Sequence, residues 1–430
     1  MWAAVGCGPQ STLPPESFEP VKIGMVMSLT GTLGGDGALW GQAARLAVHE
    51  VNAAGGVLPG RDLELVIRDD ETNSANGERL ARELVEQEGV VAVFGAAASS
   101  VSARVLDVTE ANRIPQVSCC STSDTFTTRN AALMAQDRFF FRTAPPDILQ
   151  SVVVARAATT LMCMRLAILH LDDEYGLPFG MAIEANYEAS GGEVAIRVPF
   201  VDEQPSYTTE LSQIRNANPD CIAVVAYPGS AGVILRDWAA LPMAPAVRWI
   251  GTDGIKGPAV LAEVGDLGLF DGVFGTSPIT DPSTPQYQRF ADSYRAIFGT
   301  APASFTSNSY DATALIALAI ARAGTTDGDA IRDALREVAG PPNDTGGLVR
   351  AGDLAAGLEV VREGLDVDYQ GASGNTDFDA NGDVVTPYEI WRYDQPGSTR
   401  PCTDSRVVDP TRDLGSYCRF QVIPPEEIQP

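Results

Sequence analysis

Apolar runs alternate with amphipathic helical patterns along most of this chain. Near the start, an apolar run over 21–28 leads into a Gly- and Thr-rich loop, a helical pattern over 41–52 and an alternating run over 63–68. This order predicts a βαβ unit whose loop lies at the carboxyl end of the first strand. Ligands bind at that edge of open α/β sheets, and Trp40 stands where the loop becomes a helix.

The alternation continues through two cycles, which Pro145 and Pro146 separate. In the first cycle, strands are predicted at 90–94 and 114–118, with a helix at 101–111 that has Ser99 or Ser100 as its N-cap. The second cycle comprises helix 148–162, strand 166–171, helix 178–189, strand 193–200, helix 207–216, strand 221–226, helix 230–240 and strand 248–251. Such alternation predicts parallel sheets flanked by helices, here in two similar Rossmann-like lobes.

The rest of the chain does not start a third cycle. It reads as strand 270–277, helices 285–298, 310–323 and 327–338, and a final pair of strands at 374–378 and 387–393 around an Asn-Gly hairpin turn. We therefore expect a tether at 1–20, a first lobe at 21–143 plus 274–368, a second lobe at 144–273 plus 369–394, and a tail at 395–430.

Composition narrows the function classes. The formal charge of −26 would be repelled by a phosphate backbone, so nucleic-acid binding is disfavoured. The two histidines, His49 and His170, stand far apart, which makes histidine catalysis or a zinc site hard to build. Because no nucleophile–base pair stands out either, we expect neither an enzyme nor a bound cofactor or metal.

The chain has seven cysteines, an odd number that leaves one over if the chain is exported and the others pair. Cys402 and Cys418 are sixteen residues apart in the tail and could form a disulfide that pins it. Cys163 and Cys221 lie near one edge of the second predicted sheet and could also pair, as could the adjacent Cys119 and Cys120. No apolar run reaches the roughly 18 residues that span a bilayer.

The stretch A-A-V-G-C at 3–7 is similar to the end of a bacterial lipoprotein signal, with Cys7 as the lipidated residue. A Pro-, Ser- and Glu-rich tether follows it. The alternative is a chance cysteine.

Several motifs in order resemble the type I periplasmic solute-binding proteins of ABC importers, in the leucine/isoleucine/valine-binding branch. They are V-K-I-G-M-V-M-S-L-T-G, W-G, V-N-A-A-G-G-V, F-G-A-A-A-S-S, D-D-E-Y-G, W-I-G-T-D-G, S-Y-D-A-T and F-D-A-N-G-D, spread over 20–394. The resemblance implies two lobes joined by three crossovers, with the ligand held in the cleft between them.

The first lobe should supply the polar half of that site. Ser99 and Ser100 open a helix, where free N–H groups favour an anion, and Ser121 and Thr122 follow the next strand. In amino-acid-binding relatives, positions matching Ser99, Cys120, Ser121 and Thr122 hold the ligand's α-carboxylate and ammonium. The alternative is that Ser99 and Thr122 only cap a helix and shape a turn.

The second lobe should supply the cation partner, and both lobes should supply the aromatic walls. The position that matches Asp253 pairs with the ligand's ammonium in relatives, unless this carboxylate only shapes a turn. Trp40, Tyr175 and Tyr227 match aromatic positions that line the ligand side chain, with Tyr310 and Phe305 as weaker candidates. Aromatic residues at such positions are otherwise core residues.

Three features limit these expectations. Relatives often have two small residues where this chain has Cys120 and Ser121, so a leucine-type preference does not follow. The stretch 377–383 begins like an EF-hand loop, but its twelfth position is Tyr388 and not Glu. The first Gly-rich loop lacks the G-x-G-x-x-G register and the Walker lysine, which disfavours nucleotide binding.

We therefore expect a monomeric, lipid-anchored receptor outside the cytoplasm that passes an amino acid or a similar solute to the membrane permease of an ABC importer. The alternative is a ligand-sensing module of a signalling system.

Overall fold

The computed structural model describes residues 18–340, 347–402, 405–407 and 414–428. Cys7 and the expected tether before residue 18 lie outside them. The strands of the described residues are β1 (Val21–Met27), β2 (Leu63–Asp69), β3 (Val93–Gly95), β4 (Gln116–Ser118), β5 (Phe140–Arg142), β6 (Arg165–Leu171), β7 (Glu193–Phe200), β8 (Cys221–Val225), β9 (Arg248–Gly251), β10 (Phe274–Pro278), β11 (Gly347–Arg350), β12 (Val367–Gln370), β13 (Tyr388–Asp394), β14 (Ser405–Val407) and β15 (Ser416–Ile423).

The α-helices cover both faces of the two larger sheets. They are α1 (Gly34–Ala53), α2 (Ser74–Glu83), α3 (Ser99–Ala111), α4 (Asp124–Ala131), α5 (Asp147–Thr160), α6 (Gly176–Ala189), α7 (Thr208–Ala217), α8 (Pro228–Ala240), α9 (Pro258–Val264), α10 (Pro285–Phe298), α11 (Thr306–Ala323), α12 (Gly328–Ala339) and α13 (Leu354–Arg362). In the described part of the chain, no helix combines the length and apolarity needed to cross a bilayer.

The first sheet has the strand order β2-β1-β3-β4-β5, and its neighbouring strands pair in parallel. Strands of this kind require crossovers, which helices supply. Later in the chain, α10, α11 and α13 return to pack against α1, so this lobe is assembled from both ends of the chain. The expected return of the later helices to the first lobe agrees with this packing.

The second sheet has the order β14-β15-β13-β10-β9-β8-β6-β7. The strands from β10 to β7 pair in parallel, whereas β13, β15 and β14 pair in antiparallel fashion. The chain passes between the two sheets three times, after β5, after β10 and after β12. The predicted α/β architecture with two lobes and three crossovers is thereby confirmed.

Four expectations about this architecture were wrong. The strand Phe274–Pro278 belongs to the second sheet and not to the first lobe, because it pairs with β9. The stretch 374–378 forms no strand, and β13 pairs with β10 and β15 instead of closing a hairpin. The expected tail at 395–430 contributes β14 and β15 to the second sheet. Helix α3 begins at Ser99 itself, after Ala98, without a side-chain cap from Ser99 or Ser100.

The first helix also begins earlier than the sequence pattern predicts, at Gly34 and not at residue 41. Glycine is required there because a Cβ on Gly37 would lie 1.8 Å from the carbonyl oxygen of Ser28. The Gly-rich stretch is thus the first turn of a helix that packs directly onto the end of β1, although it reads as a loop.

Each expected cysteine pair comes together. The sulfur atoms of Cys119 and Cys120, of Cys163 and Cys221, and of Cys402 and Cys418 lie within bonding distance. The latter two pairs have Cα atoms 5.7 Å apart, a normal disulfide spacing. Asp220 lies beside Cys163 and Cys221, but paired sulfurs would leave no thiolate there for a metal.

A buried arginine joins the first and third crossovers. The Arg142 side chain, fully buried at the end of β5, donates from Nε to Asp383 Oδ1 at 2.6 Å. It also donates to the carbonyl oxygens of Ser121 and Ser123 and to the hydroxyl of Thr127. All three guanidinium nitrogens therefore have acceptors, as a buried charge requires.

We predict that Arg142→Met lowers the free energy of unfolding by about 3–5 kcal/mol, because it leaves the Asp383 carboxylate buried without its cation. Urea denaturation of the purified protein measures this loss. Arg82→Met is the matched control, since Arg82 pairs with Glu78 on an exposed helix face, and it should cost less than about 1 kcal/mol. Equal effects of the two changes would contradict the assigned role of Arg142.

Candidate ligand-binding site

A narrow pocket of about 30 Å³ lies where the carboxyl ends of the strands in the two sheets face each other. The loops after β3 and β4 approach it from the first sheet, and those after β6, β8 and β9 approach it from the second. Its wall consists of Leu33, Asp36, Trp40, Ala97, Ser99, Cys120, Thr122, Tyr175, Tyr227, Asp253, Gly254, Lys256, Ser304 and Phe305.

The first-sheet side of the pocket is hydroxyl-rich. Ser99 is the first residue of α3, so its N–H has no partner within the helix and can face an anion. The hydroxyl of Ser118 accepts from the amides of Cys120 and Ser121 at 3.2 and 3.0 Å, which fixes the turn that presents Cys120 and Thr122. This side can accept a carboxylate.

The second-sheet side presents a carboxylate beneath two aromatic rings. Tyr175 and Tyr227 stack with centroids 5.4 Å apart. The Tyr175 hydroxyl lies 2.9 Å from the Thr252 hydroxyl and donates to Asp253 Oδ1 at 3.3 Å. A side chain on Gly254 would come within 2.6 Å of the Ala226 carbonyl oxygen, so glycine is needed for Asp253 to turn into the pocket.

Burial makes this end of the site strongly attractive to a cation. Desolvation raises the pKa of Asp253 to about 6. Directly behind the pocket, burial raises the pKa of Asp147 well above its usual value, and the charge of Asp253 raises it further. Neither carboxylate oxygen of Asp147 makes a hydrogen bond of standard geometry to a described residue. A positive group between the lobes would relieve both effects.

Aromatic residues close the pocket from the first lobe. Trp40 donates from its indole nitrogen to the Ser304 carbonyl oxygen at 2.8 Å and packs edge-on against Phe305, with ring centroids 6.4 Å apart. Because this hydrogen bond fixes the indole, the apolar wall is already in place before a ligand arrives.

Most of the predicted site residues reach this pocket, namely Trp40, Ser99, Cys120, Thr122, Tyr175, Tyr227, Asp253 and Phe305. Their contacts with a ligand stay a prediction.

Three predicted residues do not line the pocket. Ser100, the second residue of α3, is not among the residues that line it. The Ser121 hydroxyl is buried and donates to the carbonyl oxygens of Ala96 and Ala97, so it supports the loop. Tyr310 lies in the first-lobe core, where its hydroxyl donates to Glu50.

Sequence reasoning missed Asp36, Lys256 and Ser304. Asp36 stood in a stretch that reads as a loop, and only its place in the first turn of α1 aims it at the cleft. Lys256 follows Asp253 by three residues, a spacing that could have indicated it, because a tight turn returns the chain to the same edge.

The narrow pocket opens into a larger cavity of about 810 Å³. Asp253, Lys256, Ser304 and Phe305 line both spaces. The cavity continues between α9 and the segment 299–305 and has an inner wall rich in hydroxyls, including Ser277, Ser307 and Thr386.

The two lobes touch across the mouth of the cleft. Thr32 donates to Glu203 Oε1 at 3.2 Å, and a Cβ on Gly35 would lie 3.2 Å from that of Ala259. The arrangement is thus a closed one, with the pocket between the lobes.

A family model agrees with this geometry over most of the chain. The model described as "Periplasmic binding protein" matches residues 20–394. The chain belongs to this family. Its curated relatives are solute-binding proteins and not enzymes, which agrees with the absence of a nucleophile–base pair in the sequence.

Two curated relatives of this periplasmic binding protein match most of its length. A chemotactic signal transduction system substrate-binding protein, BasB, from Halobacterium salinarum is 26% identical over 88% of each chain. A leucine-, isoleucine-, valine-, threonine- and alanine-binding protein from Pseudomonas aeruginosa is 25% identical over 74% of this chain and 82% of that protein.

The crystal structure of a leucine-binding protein from Thermotoga maritima has the same fold. It superposes with a TM-score of 0.75 at 22% identity and covers 95% of this chain and 99% of its own. The family resemblance inferred from the sequence motifs is confirmed.

We predict that Asp253→Asn stabilises the unliganded protein relative to the wild type as the pH rises. The pKa of Asp253 is about 6 in the folded state and 3.8 without burial, so its stabilising contribution is full below pH 4 and is lost as the pH passes 6. The shift corresponds to about 3 kcal/mol at pH 8. Urea denaturation at pH 4 to 8 measures it, with the exposed Asp172→Asn as control; identical pH profiles of Asp253→Asn and wild type would contradict it.

Proposed function

We propose that this protein is an extracytoplasmic substrate-binding receptor that captures an amino acid and delivers it to the permease of an ABC importer. The observation that carries the proposal is the opposed polarity of one pocket. Asp253 lies at one end under Tyr175 and Tyr227, and Ser99 and Thr122 lie at the other. An α-amino acid carries both complementary charges, one for each end.

The proposed capture uses closure of the lobes. The strands of the first and second sheets supply different halves of the pocket, so a ligand gains its full set of contacts only when the lobes meet. The relative from Pseudomonas aeruginosa, named for binding leucine, isoleucine, valine, threonine and alanine, supports an amino acid as the ligand.

The same proposal places the protein outside the cytoplasm, as a monomer held at the membrane through a lipid on Cys7. The support is the A-A-V-G-C stretch at 3–7, the membership in a periplasmic family and the three pairs of cysteines.

Sensing is a second candidate, because BasB belongs to a chemotactic system and matches 88% of this chain. A receptor for either purpose would have the same pocket. The two differ in the membrane partner that recognises the closed form, so deletion of the gene should abolish amino-acid uptake in the first case and a chemotactic response in the second.

We predict that Asp253→Ala weakens amino-acid binding at least about 30-fold, because truncating one partner of a buried charge pair costs about 2–5 kcal/mol or more. Calorimetric titration with a panel of amino acids measures this. Glu188→Ala, an exposed carboxylate on α6, is the control and should bind as the wild type does. Unchanged affinity in Asp253→Ala would remove the proposed ammonium site.

A further inference from the structure

The narrow pocket holds only the head of a ligand. Its volume of about 30 Å³ is enough for a couple of water-sized groups. The adjoining cavity of about 810 Å³ lies in the range of sites for drug-sized molecules. An amino acid whose α-ammonium meets Asp253, at the junction of the two spaces, would extend its side chain along the border of the larger cavity, where Gly35 and Gly257 of the cavity wall adjoin Asp36.

The charges around the junction do not balance. Asp36 and Asp253 are acidic, and Lys256 is the basic residue of the narrow pocket's wall. The Lys256 ammonium donates to Glu389 and to the Ser277 hydroxyl, so it does not pair with Asp36 or Asp253. A zwitterionic amino acid brings no net charge and would leave this excess of carboxylate in place.

Asp36 is the carboxylate that the proposed ammonium site does not use. It makes no hydrogen bond or ion pair with any residue that the structure describes, and it reaches across the cleft to the loop before α9. A Cβ on Gly257 would lie 3.3 Å from Asp36 Oδ1, and Gly257 lines the larger cavity. Although Asp36 keeps some contact with solvent, the packing around it raises its pKa to about 7. The Asp36 carboxylate is therefore largely desolvated and has no counter-ion among the described residues.

We propose that the ligand is a cationic α-amino acid with a long side chain, of the lysine, ornithine or arginine type, whose terminal ammonium or guanidinium binds Asp36. The proposal rests on the proposed function, since the α-amino and α-carboxylate groups occupy the Asp253 and Ser99 ends. Trp40 and Phe305 flank the path and would pack on the methylene stem. Two carboxylates, Asp36 and Asp253, and the neutral Ser99 end would then select a ligand by the length and charge of its side chain.

Calorimetric titration with arginine, lysine and leucine tests this proposal on the wild type and on Asp36→Asn. The wild type should bind arginine or lysine at least 10-fold more tightly than leucine. Asp36→Asn should weaken arginine and lysine binding about 30-fold or more, and leucine binding less than 3-fold, because only the cationic side chains lose a charged partner.

Two further variants separate the charge of Asp36 from its effect on closure. Asp36→Glu keeps the charge and should retain the preference for cationic side chains. Glu203→Gln changes the other acidic contact across the cleft and should weaken all three ligands alike or not at all. Circular dichroism of each variant confirms that it is folded.

The outcomes distinguish this proposal from the one on which it rests. Leucine binding without arginine or lysine binding, or an equal loss of all three ligands in Asp36→Asn, would overturn the cationic ligand while leaving an amino-acid receptor. Failure of the wild type to bind any amino acid would overturn both.

Discussion

The buried guanidinium of Arg142 determines how the two lobes are joined. It stands where the chain leaves the first sheet, and it holds Asp383 of the third crossover together with the carbonyl oxygens of Ser121 and Ser123. A charge at this depth needs an opposite charge and hydrogen-bond acceptors around it. The Arg142 side chain therefore contacts both a crossover between the lobes and the loop that presents Thr122. A movement of the crossover would be transmitted to the binding surface through these contacts.

Parallel strands bring the polar loops of both sheets to one cleft, and that cleft is short of positive charge. Asp147 and Asp253 both lie in the second lobe, where burial raises the pKa of each carboxyl group and the charge of Asp253 raises that of Asp147 further. Closure without a cation therefore buries like charges, whereas closure on a cation neutralises them. Under the proposed function, the electrostatics of the empty cleft favour the open form and the ligand supplies what closure needs.

The sequence predicted the parts of the fold that depend on local periodicity. Strand β7 at Glu193–Phe200 was predicted with its full bounds, and β9 at Arg248–Gly251 likewise, because apolar runs with clear breaks mark them. Pairing over long distances was not predictable in this way. Strand β13 pairs with β10 and β15, which lie more than 20 residues away along the chain on either side. The Asn-Gly turn had instead suggested pairing with a neighbouring strand.

The candidate site shows the same difference between residues that local patterns predict and residues that long-range packing places. Asp253, Thr122 and Tyr175 follow predicted strands, so the edge of the sheet brought them together. Tyr310 carries no such signal, because its side of α11 is decided by packing against Glu50 and the core. Asp36 was hidden in a Gly-rich stretch whose helical turn depends on tertiary contact with β1.

The strand β15 lies beyond residues 20–394, which the family model matches. Its Tyr417 hydroxyl nevertheless accepts from the Gly257 amide and donates to the Gly257 carbonyl oxygen, next to Lys256. A strand outside the matched residues thus supports a loop that lines the cleft. Because Cys418 ties this strand to Cys402, the firmness of the cleft wall becomes linked to the redox chemistry of the compartment where the protein matures.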